Sequence, residues 1–123
     1  MKTLLCSLVL LLGCAAPTGD SVPVMVGGTA DVDACPSIGS IDNDGAIAFR
    51  AGPGNEYRRI ATLAGGDYAY LCSVSPDGAW SGVVLVKDGA DCGVSSPIHV
   101  AEPYKGPCLS GWVPTRWISP AAG

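Results

Sequence analysis

Residues 68–86 read YAYLCSVSPDGAWSGVVLV, and their pattern decides the fold class. Tyr68, Tyr70 and Cys72 alternate with Ala69, Leu71 and Ser73. That period of two puts successive side chains on opposite faces of a strand. Ser75-Pro76-Asp77-Gly78 then reverses the chain, because proline presets φ for a turn and glycine accepts positive φ. Trp80 to Val86 follows as a second, β-branched run. Two strand-like runs around a Pro-Asp-Gly turn make a hairpin.

The same alternation of short runs and breakers continues outward on both sides. Upstream, Ile38–Ile41 is stopped by Asp42-Asn43-Asp44-Gly45. Ala46–Arg50 places Ile47 and Phe49 on one face, and Ala51-Gly52-Pro53-Gly54-Asn55 breaks that run. Ile60 and Leu63 restore apolar character before Gly65-Gly66-Asp67 turns again. Downstream, residues 87–108 read as a long loop with Lys87, Asp88, Asp91, Pro97, Pro103 and Pro107. The last strand is Ser110–Val113, followed by Pro114 and a short Arg116-Trp117-Ile118 terminus. No stretch keeps a helical period over ten residues, and 17 glycines with 10 prolines in 123 residues argue further against helices. The expectation is an all-β fold, a small barrel or sandwich of five to six strands over residues 34–120.

Residues 1–13, MKTLLCSLVLLLG, carry one cation, Lys2, before an apolar run from Leu4 to Leu12. The run is about half the roughly 20 residues that a transmembrane helix needs, and it fits the core of an export signal. Leu11-Leu12-Gly13-Cys14 resembles the bacterial lipobox, which implies lipid on Cys14 and cleavage before it; ordinary secretion with cleavage after Ala15 or Ala16 is the alternative. Several acyl chains, at about 0.8 kcal/mol per buried CH₂, anchor a protein where one does not. Ala15 follows the cysteine; the resemblance to enteric lipoproteins, in which an Asp there implies inner-membrane retention, favours the outer membrane if the envelope is Gram-negative. Residues 14–33 hold Pro17, Pro23, Gly27-Gly28 and small or acidic polar residues. They read as a flexible tether too polar to offset its ordering entropy, with the apolar Val22–Val26 piece as the exception.

The six cysteines stand at 6, 14, 35, 72, 92 and 108. Cys6 leaves with the signal and Cys14 takes lipid, so four remain in an exported chain, where two disulfides are the default. Three pairings are open. The local bridge Cys92–Cys108 is preferred, which leaves Cys35–Cys72. No C-x-x-C occurs, so zinc is not expected, and no other metal or cofactor is implied. The formal net charge of −4 and the lack of a basic run leave no electrostatic footprint for nucleic acid.

Phe49-Arg50-Ala51-Gly52-Pro53-Gly54-Asn55-Glu56-Tyr57-Arg58-Arg59-Ile60-Ala61-Thr62-Leu63 resembles the opening of bacterial SH3-like (SH3b) domains. These show an apolar residue, Arg, a small residue, Gly-Pro, polar residues, Tyr, then Ile and Leu. Gly66, Gly78-Ala79-Trp80, Gly111-Trp112-Val113 and Trp117-Ile118 match later steps, so the resemblance covers roughly residues 46–119. It implies an SH3-like barrel. Two departures stand out: a segment with Cys35 before the first family strand, and a 22-residue insertion, 87–108, before the last strand. A loop of more than about 15 residues in a compact domain is usually functional or disordered, and a disulfide within it favours function. Physically, Gly52-Pro53-Gly54 supplies one fixed φ and two permissive ones. Arg50 can serve loop carbonyls or a carboxylate, and Tyr57 offers a ring to the barrel end.

Catalysis is not expected. A cysteine hydrolase needs a free thiolate beside a histidine, and His99 is the one histidine present. Asp42, Asp44, Asp88 and Asp91 lie in turn-rich segments, where aspartate belongs. Binding is the stronger class, since Trp and Tyr at strand ends beside a glycine-rich loop make a surface for peptides or glycans. The resemblance implies a groove beside the loop after the first family strand, engaging cell-wall (peptidoglycan) peptide or an envelope protein. On this chain that names Asn55, Tyr57 and Trp80, with Tyr104 of the insertion as a wall. Which of Trp80, Trp112 and Trp117 belong to the core is open. The alternative is a scaffold or inhibitor that makes its contact through the disulfide-bonded insertion.

Overall fold

The computed structural model describes residues 20–122. The export signal, Cys14 and the first part of the expected tether lie outside the described residues. The fold is all-β. Its strands are β1 (Met25–Val26), β2 (Ser37–Ile41), β3 (Ala46–Arg50), β4 (Arg59–Ala64), β5 (Tyr68–Val74), β6 (Trp80–Leu85), β7 (Glu102–Pro103), β8 (Ser110–Pro114) and β9 (Ile118–Ala122). A single 3-10 turn, Thr115–Trp117, joins the last two. Among the described residues no helix is long and apolar enough to cross a membrane.

Seven strands form one antiparallel sheet in the order β4-β3-β8-β6-β5-β2-β9, and β1 pairs with β7 in a separate two-stranded ribbon. The sheet curls, because strands from both ends of the order enclose one apolar cluster of Ile41, Ile47, Phe49, Leu63, Ala69, Val83 and Val113. It does not close: β4 and β9 remain unpaired ends, so the expected barrel of five to six strands is an open, seven-stranded sheet. Pro120 in β9 suits an edge, since proline has no N–H to give a further strand.

The hairpin sits at the centre of the sheet. β5 and β6 pair from Ala69↔Leu85 to Val74↔Ser81, with a register shift between Leu71 and Ser73. In the turn, Gly78 N–H donates to the Ser75 carbonyl at 2.8 Å and Gly78 takes φ +76°. β6 is covered on both faces, which is why it reads as a continuous apolar run rather than an alternation, whereas β5 is covered at its centre and exposed at its ends, Tyr68 and Val74. Ala69, Leu71 and Val83 face the inner cluster. Tyr70, Cys72 and Val84 face an outer cluster with Val26, Ala34, Cys35, Cys92, Val94 and Cys108.

That outer layer contains two disulfides, Cys35–Cys72 with Cα atoms 4.5 Å apart and Cys92–Cys108 at 5.4 Å. Two disulfides in one small domain point to an oxidising, non-cytoplasmic compartment. The long connection from β6 to β8 is packed down, since it carries β7 and the bridge Thr29↔Ile98.

From Val22 to Gly28 the expected tether is instead a strap laid on the domain. Val24 and Val26 are each 2% exposed. The Val22 N–H donates to the Ala51 carbonyl at 2.9 Å and the Tyr104 N–H to the Val24 carbonyl at 2.8 Å. The Trp112 indole N–H donates to the Val22 carbonyl at 2.8 Å. Period-two valines explain the docking: burying each contributes about 1.5–3 kcal/mol, enough to offset the ordering of a short extended segment. Trp112 is 5% exposed and is therefore the buried tryptophan, while Trp80 and Trp117 are half-buried.

Candidate functional site

β3 and β8 meet at one register position, Arg50↔Trp112. On its other side β3 pairs with β4 along its whole length, from Ala46↔Ala64 to Arg50↔Arg59. Beyond Arg50 the two neighbours therefore diverge, and a wedge opens between Ala46–Ala48 and the end of β8. The wedge is a groove of about 250 Å³ lined by Asn43, Ala46, Ile47, Ala48, Arg50, Asn55, Trp80, Pro114 and Trp117. In an antiparallel strand alternate backbone groups point to either side, so β3 offers unpaired N–H and C=O groups to this gap.

Each wall is positioned by local structure. The Ser75–Gly78 turn holds Trp80: its N–H donates to Ser75 Oγ at 3.1 Å, and its carbonyl accepts the Ser75 N–H at 2.8 Å. Ser75 Oγ donates in turn to Asp77 Oδ1 at 2.7 Å, which also accepts the Ala79 N–H at 3.0 Å. The Ser75 hydrogen bond and then the Ala79 amide hold the Asp77 carboxyl below the ordinary aspartate range. Trp117 is set by the 3-10 turn. Thr115 N–H donates to the Ala79 carbonyl at 2.9 Å, its hydroxyl meets Ser81 Oγ at 2.9 Å, and the Trp117 carbonyl accepts the Asp42 N–H at 2.7 Å. The Arg116 guanidinium lies over the Trp117 ring, 5.1 Å from its centroid, within cation–π range.

Arg50 is half-buried and donates through Nη1 to the Tyr57 carbonyl at 2.9 Å. That bond uses one N–H of the guanidinium fork and fixes the Gly52–Tyr57 loop that carries Asn55. The loop's glycines act differently from expectation. Neither Gly52 nor Gly54 has positive φ; the Tyr57 ring occupies the space a Gly52 Cβ would need. Their role is close approach, not backbone handedness.

The structure thus brings Asn55 and Trp80 to one groove and places Tyr57 and Tyr104 elsewhere. Tyr57 is spent on the loop. Tyr104 packs on the outer cluster, where its hydroxyl donates to the Cys92 carbonyl at 2.7 Å and accepts the Cys108 N–H at 3.1 Å. It clamps the disulfide loop and is not a groove wall. Trp117 and Arg50 are groove residues that the sequence motifs did not assign as such. The signal for Trp117 was its place beside Arg116 at a strand end.

Two other depressions differ in character. One, open and lined by Asp42, Asn43, Asp44 and Gly65-Gly66, adjoins the groove through Asn43 and Ala46. The other, lined by Pro36, Leu71, Val74, Ile118 and Pro120 among others, has no charged side chain. Among the described residues no three His, Cys, Asp or Glu side chains gather in a metal-binding arrangement. No family model matches the chain, and no curated protein or solved structure is significantly similar to it.

Proposed function

We propose that this chain is an exported, lipid-anchored, non-catalytic binding module of SH3-like fold whose aromatic groove engages cell-wall peptide. The observation that carries the reading is the convergence of Asn55, Arg50, Trp80 and Trp117 on one groove. That groove lies beside the loop in which the SH3-like motif stands. The curled antiparallel sheet agrees with an SH3-like architecture, the two disulfides agree with export, and Leu11-Leu12-Gly13-Cys14 supplies the lipid site. Paired tryptophans flanked by amides and a cation suit an extended peptide, which offers alternating apolar and polar contacts.

Sedimentation with purified sacculi tests this. The protein is retained at low and moderate salt, and Trp80→Ala, which removes a groove wall that packs in neither core cluster, reduces retention while leaving the thermal transition in place. No retention of the wild type removes the cell-wall ligand. Radiolabelled palmitate joining the wild type but not Cys14→Ser tests the anchor.

A second reading assigns the contact to the insertion, as in a scaffold or inhibitor that binds an envelope protein. Its support is that the loop is held rigid by Cys92–Cys108 and Tyr104 while Val100 at its outer part is 76% exposed. Deleting residues 93–107 separates the two: loss of an envelope crosslink with retained binding to sacculi favours the insertion.

A further inference from the structure

We infer that the groove is selective for an extended peptide carrying a free carboxylate, held at the Arg50 end. The inference deepens the binding-groove reading and rests on it. Acidic residues outnumber basic ones in this chain by 11 to 7. Yet the one charged residue lining the groove is Arg50. A second cation, Arg116, lies over the Trp117 wall. Among the described residues no carboxylate lies within ion-pairing distance of either guanidinium. Arg50 has spent one N–H on the Tyr57 carbonyl, and the remaining fork matches the two oxygens of a carboxylate.

Direction follows from the neighbouring depression. Asp42 and Asp44 stand beyond Asn43 and Ala46, at the opposite end from Arg50. A carboxylate placed there is repelled, so the acid group lies toward Arg50 and the peptide runs back along β3. The backbone of that peptide meets the unpaired edge of Ala46–Ala48, which has β4 on its other side alone. Strand-edge pairing supplies affinity without sequence preference. The guanidinium then supplies the chemical choice, and the amides of Asn43 and Asn55 supply further donors. The uncharged depression at Pro36, Val74 and Pro120 offers none of these.

The three tryptophans make the test direct. In the ¹⁵N-labelled full chain, three indole N–H signals report separately on Trp80, Trp117 and Trp112. The last is buried under the Val22 strap and serves as the internal control. The probes are acetyl-trialanine with a free C-terminal carboxylate and the same peptide with a C-terminal amide. The acid shifts the Trp80 and Trp117 signals and leaves Trp112 in place. The amide binds about tenfold or more weakly, the difference expected for one charge-assisted hydrogen-bond pair. Arg50→Lys keeps the positive charge but loses the planar fork, so it weakens acid binding several-fold and leaves amide binding unchanged, with an unchanged near-UV spectrum as the control for folding. Acid and amide titrating alike overturns carboxylate selectivity and leaves the groove reading standing. No shift of either groove signal with either peptide overturns both.

Discussion

The two faces of the central hairpin are built by different means. The inner cluster draws Ile41, Ile47, Phe49, Leu63, Ala69, Val83 and Val113 from the strands of the curled sheet, and burial alone holds it. The outer cluster is made of small side chains, Val26, Ala34, Val84 and Val94, with both cystines among them. Most of its members come from outside the sheet. Small side chains remove little apolar area from water, at about 25 cal/mol per Å². Covalent closure of long loops compensates by restricting the unfolded chain. The inner face is thus a hydrophobic core in the ordinary sense, whereas the outer face is a stapled cover.

Substitutions that treat the two faces alike should therefore give different results. The largest effect is expected at Phe49, fully buried at the centre of the inner cluster. Phe49→Ala removes about 3–5 kcal/mol, and urea unfolding should show the whole domain destabilised in one transition. A loss below about 1 kcal/mol would mean that the curled sheet is not held by its inner face.

Opening the staples comes next. The double replacement Cys35→Ala with Cys72→Ala frees residues 37 apart and removes about 4 kcal/mol in the chain-entropy model. Cys92→Ala with Cys108→Ala frees residues 16 apart and removes about 3 kcal/mol. The sharper test is locality. After loss of Cys92–Cys108, hydrogen exchange should rise across residues 87–108 and the strap, while the amides of β3 and β8 stay protected. Uniform loss of protection would erase the distinction between the faces.

A smaller effect is expected at the seam between strap and sheet. Trp112→Phe keeps an aromatic ring but removes the indole donor to the Val22 carbonyl. About 1 kcal/mol is lost, and the bond from strap to Ala51 should exchange faster than that from Tyr104 to Val24. Equal rates would show that the strap docks through its valines alone.

What was legible in the sequence divides along the same line. The hairpin, the period-two face of Ile47 and Phe49, and the all-β class could be read because strand pattern and turn chemistry are local. The strap was legible only as an apolar exception within the expected tether, without the partner it docks on. Val22–Val26 lies among prolines and glycines, and its partner Glu102–Pro103 is too short to announce itself as a strand. Tyr104 was read as a binding wall for a similar reason: its partners are backbone groups at Cys92 and Cys108, which leave no trace in residue identity. Of the groove, Asn55 and Trp80 were legible from the loop motif and the turn. Trp117 joins them because the 3-10 turn swings it into the wedge left where β8 parts from β3, and that divergence is a property of the sheet.

The smallest effect concerns the turn that aims Trp80. Asp77 accepts the Ser75 hydroxyl and the Ala79 N–H, and these bonds hold its carboxyl below its ordinary value of 3.8. A carboxyl whose folded value is depressed contributes stability that is complete above the unfolded value and is lost as pH falls through the folded one. Asp77→Asn keeps an acceptor oxygen but cannot ionise. The variant should therefore melt slightly below the wild type at about pH 6, and the gap should narrow as the pH drops below about 3.8. Asp77 is fully exposed, so the difference is small, but its sign is fixed. In the same series the Trp80 indole signal should broaden on the acid side in the wild type and at all pH values in the variant. A gap that widened in acid would mean that the protonated turn is the better-held one, and that Trp80 is positioned by its packing and not by Asp77.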